Sequence, residues 1–493
     1  MIDVESVRAS AAKPQRPFIG GEFVDPLSGK SFEVIDPARG VRLAEVGEAG
    51  PADVDRAVAA ARKALSGPWA KLSPHDRAKL LWRIGEGIEK RADELSVLES
   101  LNNGKTIKGA YRGDVLGAIE IFQYYAGWVT KIHGKTIPVA DDALCYTLRQ
   151  PVGVCGQIVP WNYPLLMACW KIAPALACGN TVVLKPSEYT PLTALKVAEI
   201  CRDAGVPEGV VNVVPGFGDP TGEAIARHAD VDKIAFTGSI RTARRILHAS
   251  ADTNLKRVSL ELGGKSPNVV FADADLDVVV PAAFWAIYSN KGEVCSAGSR
   301  LLAHHDVAEE LTARLAEMAK KMKVGNPQDP ATQMGAQVSQ RQLDTILGYI
   351  EKGKAEGARV RAGGERDVEG DKAKGFFVQP TVFDQVDPKM AIAQEEIFGP
   401  VLAVIPFADE AEAARIANAT TYGLVAAVWT KDIGRAHRLA REIDSGVVWV
   451  NMWDGWDSAA PFGGMKQSGW GREMGEAALE MYTETKTVWV NLK

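Results

Sequence analysis

Residues 153–185 read GVCGQIVPWNYPLLMACWKIAPALACGNTVVLK. The β-rich run Gln157–Val159 is followed by an apolar stretch that predicts a helix near 165–177. Thr181–Lys185 is then a second apolar run of strand length. The alternation continues with a helix near 190–204, Val210–Val214, a helix near 220–228 and Lys233–Thr237. Strands alternating with helices predict a parallel sheet with helical crossovers. A second alternation follows Gly264, with Asn268–Phe271 and Arg300–Ala303 as strands and a long helix from about 307 to 322. Between the two lies the tight run ELGGKSPN. The fold expected is α/β, with two parallel-sheet domains meeting near residue 264.

The flanks add to this reading. Ser73 can cap a helix over 74–90, Pro74 suits its first position, and Leu80, Ile84 and Ile88 recur every four residues. Ala52–Leu65 is a second, Ala-rich helix candidate. Lys131–Gln150 and the tail Thr485–Asn491 partly alternate polar and apolar residues, which predicts half-buried strands. Strands so far from the core in sequence can pair with each other or with a neighbouring subunit. Two domains also fit the length of 493 residues, because one core rarely grows past ~250–300.

Composition narrows the function. The hydrophobic fraction is 46% and the charged fraction 24%, which excludes a disordered or fibrous chain. A net charge of −5 provides no basic field for nucleic acid. No run approaches the ~18 apolar residues of a membrane span, and the opening MIDVESVRASAAKPQRPF holds no apolar signal core. A cytoplasmic location is expected. The six cysteines (145, 155, 169, 178, 201, 295) then read as reduced thiols. None is spaced as CxxC and no histidine clusters with them, so no metal site is expected. No GxxxxGK[ST] loop is present, which argues against a kinase or ATPase.

One cysteine stands apart. Cys295, in NKGEVCSAGSR (290–300), sits among Gly292, Ser296, Ala297, Gly298 and Ser299, whereas a free cysteine is commonly a small buried hydrophobe. A thiol nucleophile needs help to ionise, a base for any hydrolytic step, and fixed donors for tetrahedral charge. Glu261 opens ELGGK, where two glycines permit close backbone approach. Asn162, in VPWNYP, carries an amide able to donate to an oxyanion. Lys185 and Glu188 in LKPSE follow the strand TVVLK, at the strand end where open α/β sheets bind ligands. Gly216, Gly218 and Gly222 read GxGxxxG and by themselves do not make a Rossmann fingerprint.

PWNYP, LKPSE, FTGS, LELGGKSP, NKGEVCSAGSR, EEIFGP and PFGGMKQSGWGRE occur in that order over roughly 160–475, and together they resemble the signature blocks of the aldehyde dehydrogenase superfamily. The resemblance implies a Rossmann-like coenzyme domain (1–130 and 151–263), a catalytic domain (264–470) and a small β oligomerisation arm (131–150 and 482–493) in a homodimer or homotetramer. It implies oxidation of a small-molecule aldehyde with NAD or NADP, and the Glu188 carboxylate, able to accept from both ribose hydroxyls, makes NADP the less preferred coenzyme. Cys295 would attack the aldehyde, the Asn162 side chain and the Cys295 N–H would hold the oxyanion, Glu261 would activate water, and Lys171 with Glu473 would relay protons. Coenzyme contacts would come from Ile158, Val159, Pro160, Trp161, Lys185, Ser187, Glu188, Gly218, Phe236, Thr237, Gly238, Ser239, Leu262, Gly263, Glu396 and Phe398. Tyr163, Met167, Trp170, Trp456 and Phe462 would line the aldehyde tunnel.

WNYPLLMACWKIAPAL is similar to the aminoaldehyde and betaine-aldehyde branch in particular, where aromatic faces surround a cation, while Tyr163, Trp170 and Trp456 equally suit a plain tunnel lining for any apolar aldehyde. Three positions depart from the family's usual residues. Ala243 stands for glycine, Ser289 for a large aromatic, and Glu293 for glutamine. Ionised and close to Cys295, Glu293 would raise the thiol pKa by like-charge repulsion; it is expected instead to point to solvent, because an uncompensated buried charge is costly. Asp457 is a candidate negative charge for the tunnel. The competing readings are a CoA-acylating semialdehyde dehydrogenase, which typically lacks the glutamate at 261, and a non-catalytic protein on the same fold.

Overall fold

The computed structural model describes residues 3–493. The run that opens 153–185 forms strand β1 (Val154–Ile158), and β2 (Thr181–Lys185), β3 (Val211–Val213), β4 (Lys233–Thr237) and β5 (Arg257–Glu261) follow. They lie parallel in the order β5-β4-β1-β2-β3. The chain therefore steps outward from β1 to β3, then returns to the other side of β1. The crevice between the carboxyl ends of β1 and β4 is the topological switch point of this sheet. Gly469–Trp470 adds an antiparallel strand on β5, so the chain returns to this sheet late. Phe18–Ile19 with Glu22–Phe23 closes the opposite edge.

Helix Pro164–Ala177, between β1 and β2, is buried at every position. Its sequence has no polar stripe because it packs on the sheet on one side and is covered by helices Pro74–Lys90 and Leu116–Trp128 on the other.

The second sheet contains β6 (Pro267–Val270), β7 (Arg300–His304), β8 (Thr381–Asp384), β9 (Val401–Phe407), β10 (Val425–Trp429) and β11 (Val447–Val450). They are parallel in the order β8-β9-β7-β6-β10-β11, with Arg359–Ala362 antiparallel on β8. The short link 262–266 leads from the carboxyl end of β5 to the amino end of β6. It brings the carboxyl edge of the first sheet against the amino edge of the second. Cys295 precedes β7, the neighbour of β6, and so falls at the same junction.

Ala143–Pro151 and Thr483–Asn491 pair antiparallel along nine residues, and Thr136–Ile137 joins the other side. Leu144, Leu148 and Val490 are exposed on this arm, and Trp489 is 62% exposed. Strand β5, strands β8–β11 and the hairpin Ser31–Asp36/Val41–Gly47 are elements the sequence reading did not place. In RVSLE only Val258 and Leu260 are apolar, too short an alternation to register. Among the described residues, no helix is long and apolar enough to cross a membrane, and all six cysteines are free.

Candidate active site

Helix Leu276–Tyr288 stops at a turn with three successive left-handed residues: Asn290 (φ 44°), Lys291 (φ 64°) and Gly292 (φ 76°). Such conformations cost of order 1–3 kcal/mol at non-glycine residues and persist only where neighbours impose them. Here the Asn290 amide donates to the carbonyls of Asn162 (2.9 Å) and Glu293 (3.1 Å). The turn delivers Cys295, half-buried, to the wall of a cavity of about 640 Å³. Burial, then the carboxylates of Glu396 and Glu261, push its thiol up to about 12. The backbone N–H groups of Ser296 and Cys295 oppose the rise.

Glu261 is the last residue of β5, 5% exposed, and lines the same cavity. Burial and then the neighbouring charge of Glu473 raise its carboxyl well above the ordinary range, while Lys171 lowers it. The Oε2 atom of Glu261 is buried without a hydrogen-bond partner among the described residues. Lys171 Nζ donates to Glu473 Oε1 behind it.

The two glycines after Glu261 have separate uses. A Cβ at Gly263 would lie 2.1 Å from Glu396 Oε2, and one at Gly264 would lie 2.5 Å from the Cys295 carbonyl. Gly263 admits Glu396 and Gly264 admits the cysteine loop. Glu396 accepts the Gly264 N–H at 2.9 Å, and burial raises its carboxyl to about 7. Asn162, 3% exposed, lies just before helix Pro164–Ala177 and lines the cavity. Its Nδ2 donates to the Glu293 carbonyl at 3.2 Å, leaving the second amide N–H for another acceptor.

Glu293 does not point to solvent as expected. Its side chain is wholly buried, 2.9 Å from Lys291 Nζ, and accepts the Val338 N–H at 2.9 Å. The cost of burying a charge is largest for an unpaired one, and here the cation two residues earlier offsets it. The charges acting on the Cys295 thiol are accordingly those of Glu396 and Glu261. Ala243 directs its methyl into the apolar core around Ile246 and Phe236.

Pro160, Trp161, Thr237, Gly238, Ser239, Leu262, Gly263, Glu396 and Phe398 line the cavity, as do Tyr163, Met167, Trp170, Trp456 and Phe462. Ile158, Val159, Lys185, Ser187, Glu188, Gly218 and Phe236 lie outside that lining, and all but Gly218 stand on or just after β1, β2 and β4. Lys171 and Glu473 sit behind it. Lys185 is buried, 3.7 Å from Glu188, and burial lowers its pKa. Trp170 and Trp456 are parallel with centroids 6.3 Å apart, and Phe462 tilts against Trp170 at 5.5 Å. Trp449, Trp453, Asp454 and Trp285 also face the cavity, with Asp457, Glu120 and Arg112. The run NMWDGWD (451–457) carried a signal for Trp453 and Asp454, namely aromatic and acidic residues around a glycine. Arg112 and Glu120, on a distant helical segment, carried none.

Residues 23–488 match the model of the aldehyde dehydrogenase family. An aldehyde dehydrogenase of Emericella nidulans is 50% identical over 475 residues, 96% of this chain and 95% of that protein. The NAD+ complex of an aldehyde dehydrogenase from Bacillus cereus superposes with a TM-score of 0.97 at 48% identity, covering 100% of this chain and 99% of that one. An indole-3-acetaldehyde dehydrogenase of P. syringae, in complex with NAD+ and IAA, gives 0.97 at 45% identity, covering 99% of each chain.

Proposed function

The chain belongs to the aldehyde dehydrogenase family and is an NAD-dependent enzyme that oxidises aldehydes; from that premise we propose that Cys295 is its nucleophile, Asn162 its oxyanion donor and Glu261 its hydrolytic base. The observation that carries this is that all three side chains, with Glu396 and Phe398, line one cavity. The Cys295 thiol passes its proton to one of the carboxylates that act on it, its sulfur adds to the carbonyl carbon, and the new alkoxide is held by the Asn162 amide and the Cys295 N–H. NAD, when bound, supplies the hydride acceptor. The acyl group is left on Cys295 as a thioester. Glu261 takes a proton from water, the water oxygen bonds the acyl carbon, and the carbon–sulfur bond breaks to give the acid and the thiolate. Lys171 and Glu473, joined behind Glu261, carry the proton away.

The residues present fit NAD. The switch-point crevice between β1 and β4 opens at the strand ends where dinucleotides bind, with Lys185 and Glu188 at the end of β2. Glu188 offers acceptors for ribose hydroxyls and disfavours the 2′-phosphate of NADP, so NAD is preferred. The absent Cβ of Gly263 leaves room for Glu396 beside Cys295. On this reading residues 1–130 and 151–263 form the coenzyme domain and 264–470 the catalytic domain. Residues 131–150 with 482–493 form the arm of a homodimer or homotetramer. The exposed apolar side chains of that arm support its role in assembly.

Within the class, the substrate is an aldehyde bearing a cationic group, in keeping with a wall of Tyr163, Trp170 and Trp456 beside Asp454 and Asp457. A flat aromatic aldehyde is the second reading, favoured by the parallel rings of Trp170 and Trp456. A panel of aliphatic, aromatic and amino aldehydes, scored by kcat/KM for NAD reduction, separates the two. A ranking led by uncharged aliphatic aldehydes overturns both. Turnover that required CoA would instead identify an acylating enzyme and remove the hydrolytic role of Glu261.

A further inference from the structure

The buried charges that precede the nucleophile take no part in the chemistry above, yet they are tied to the Asn162 amide and to the backbone two residues before Cys295. Glu293 is 0% exposed and Lys291 1% exposed, and the two are 2.9 Å apart. Neither lines the cavity. Lys291 Nζ also donates to Asn103, at 2.6 Å to Oδ1 and 3.1 Å to the carbonyl. The Asn103 amide donates to the carbonyl of Trp161 at 2.8 Å, one residue before Asn162. From the other side, the Asn162 amide donates to the Glu293 carbonyl at 3.2 Å. Asn290 bridges the Asn162 and Glu293 carbonyls. The circuit is closed: Glu293, Lys291, Asn103, Trp161, Asn162 and back to Glu293.

A buried pair often does no more than offset its own desolvation, so it is weak evidence for a purely stabilising role. What the circuit does is join three segments that are remote in sequence: the end of helix Ala92–Asn103, the turn at 161–162 and the left-handed turn at 290–292. We propose that the Lys291–Glu293 ion pair, anchored through Asn103, is a positioning device that fixes the Asn162 amide against the Cys295 backbone N–H and so sets the width of the oxyanion site. It rests on the reading of Asn162 as the oxyanion donor. Lys291, Glu293 and Asn103 are positioning residues that act through Asn162 and the cysteine loop without touching the substrate.

The test compares Lys291→Gln, Glu293→Gln, the double variant and Asn103→Ala. The readouts are the pre-steady-state NADH burst, the Kd for NAD, the KM for aldehyde and the melting temperature. Each single charge removal leaves an unpaired buried ion, whereas the double leaves two amides able to hydrogen-bond. The single variants should slow the burst about ten- to hundredfold, since a misplacement of about 1 Å costs about a hundredfold. The Kd for NAD and the KM for aldehyde should stay within about threefold of wild type, because the interaction is made mainly in the transition state. The double variant should recover the burst to within about threefold of wild type. Asn103→Ala cuts the circuit but keeps the ion pair, so it stays informative even where a lone charge prevents folding. It should slow the burst about tenfold.

A wild-type burst in Asn103→Ala and in the single variants that fold overturns the proposal. So does a double variant no faster than the slower single. Asn162→Ala separates the two readings. A normal burst in that variant removes the oxyanion assignment itself. A burst lost there but intact in the circuit variants removes only the positioning role.

Discussion

Glu261→Gln divides the two halves of the reaction. The substitution keeps the shape of the side chain and removes its basicity. Acylation depends on Cys295 and Asn162, so a first turnover should still release one NADH per active site. Hydrolysis of the thioester depends on a base, which typically contributes about 10²–10⁴-fold. Steady-state turnover should therefore fall by about that factor, equivalent to ~2.7–5.4 kcal/mol of barrier, while the burst changes little. The sign of the pH effect follows from the site. Burial and Glu473 raise the Glu261 carboxyl, and only its ionised form can accept a proton. Deacylation in the wild type should climb with pH through a titration above the usual carboxyl value of about 4.3, and the variant should show no such climb.

Stability runs the other way. The folded state keeps this proton to higher pH than the unfolded chain. Unfolding free energy therefore falls as pH rises from the ordinary carboxyl range through the raised folded value. The glutamine variant lacks that slope, so its melting temperature relative to wild type should improve with rising pH. Removing the charge also relieves one of the two carboxylates that hold the thiol up, so Cys295 should alkylate at least as fast as in the wild type. Stopped-flow NADH absorbance with saturating aldehyde reads both phases. Equal loss of burst and turnover would refute the assignment of Glu261 to hydrolysis.

Cys295→Ala should abolish dehydrogenase turnover and leave NAD binding and thermal unfolding near wild type; residual wild-type turnover would end the central assignment. Wild-type kcat/KM should favour NAD over NADP by at least about tenfold, or ~1.4 kcal/mol, and Glu188→Ser should narrow the gap chiefly through the KM for NADP. Equal wild-type efficiency with both coenzymes would show that Glu188 does not gate the ribose. Removing residues 483–493 unpairs all nine positions of Ala143–Pro151 from the tail and should shift sedimentation velocity to a smaller species than the intact chain. A wild-type chain that sediments as an active monomer would exclude the assembly role.

Much of this was legible in the sequence because the signals are local. Strand and helix alternate within a few residues from β1 to β4, and a cysteine among small residues is visible wherever it occurs. The signature blocks name Cys295, Glu261 and Asn162 without any geometry. The pairing of Ala143–Pro151 with the tail was foreseen only as a possibility, since alternation predicts a strand and not its partner. What the fold alone decided involves contacts between distant segments. Lys291 and Glu293 are two residues apart, yet their burial depends on Asn103 and Val338, so the expected solvent-facing glutamate became a paired charge. Gly263 and Gly264 read as one loop and serve two different neighbours, Glu396 and the Cys295 carbonyl. Asp454 faces the cavity because a left-handed turn (φ 60°) carries it there beside Trp453. A sequence states which side chains exist and which stretches are periodic. The energy of a buried charge or a close approach is fixed by what lies opposite, and that is supplied by the packing of the two sheets.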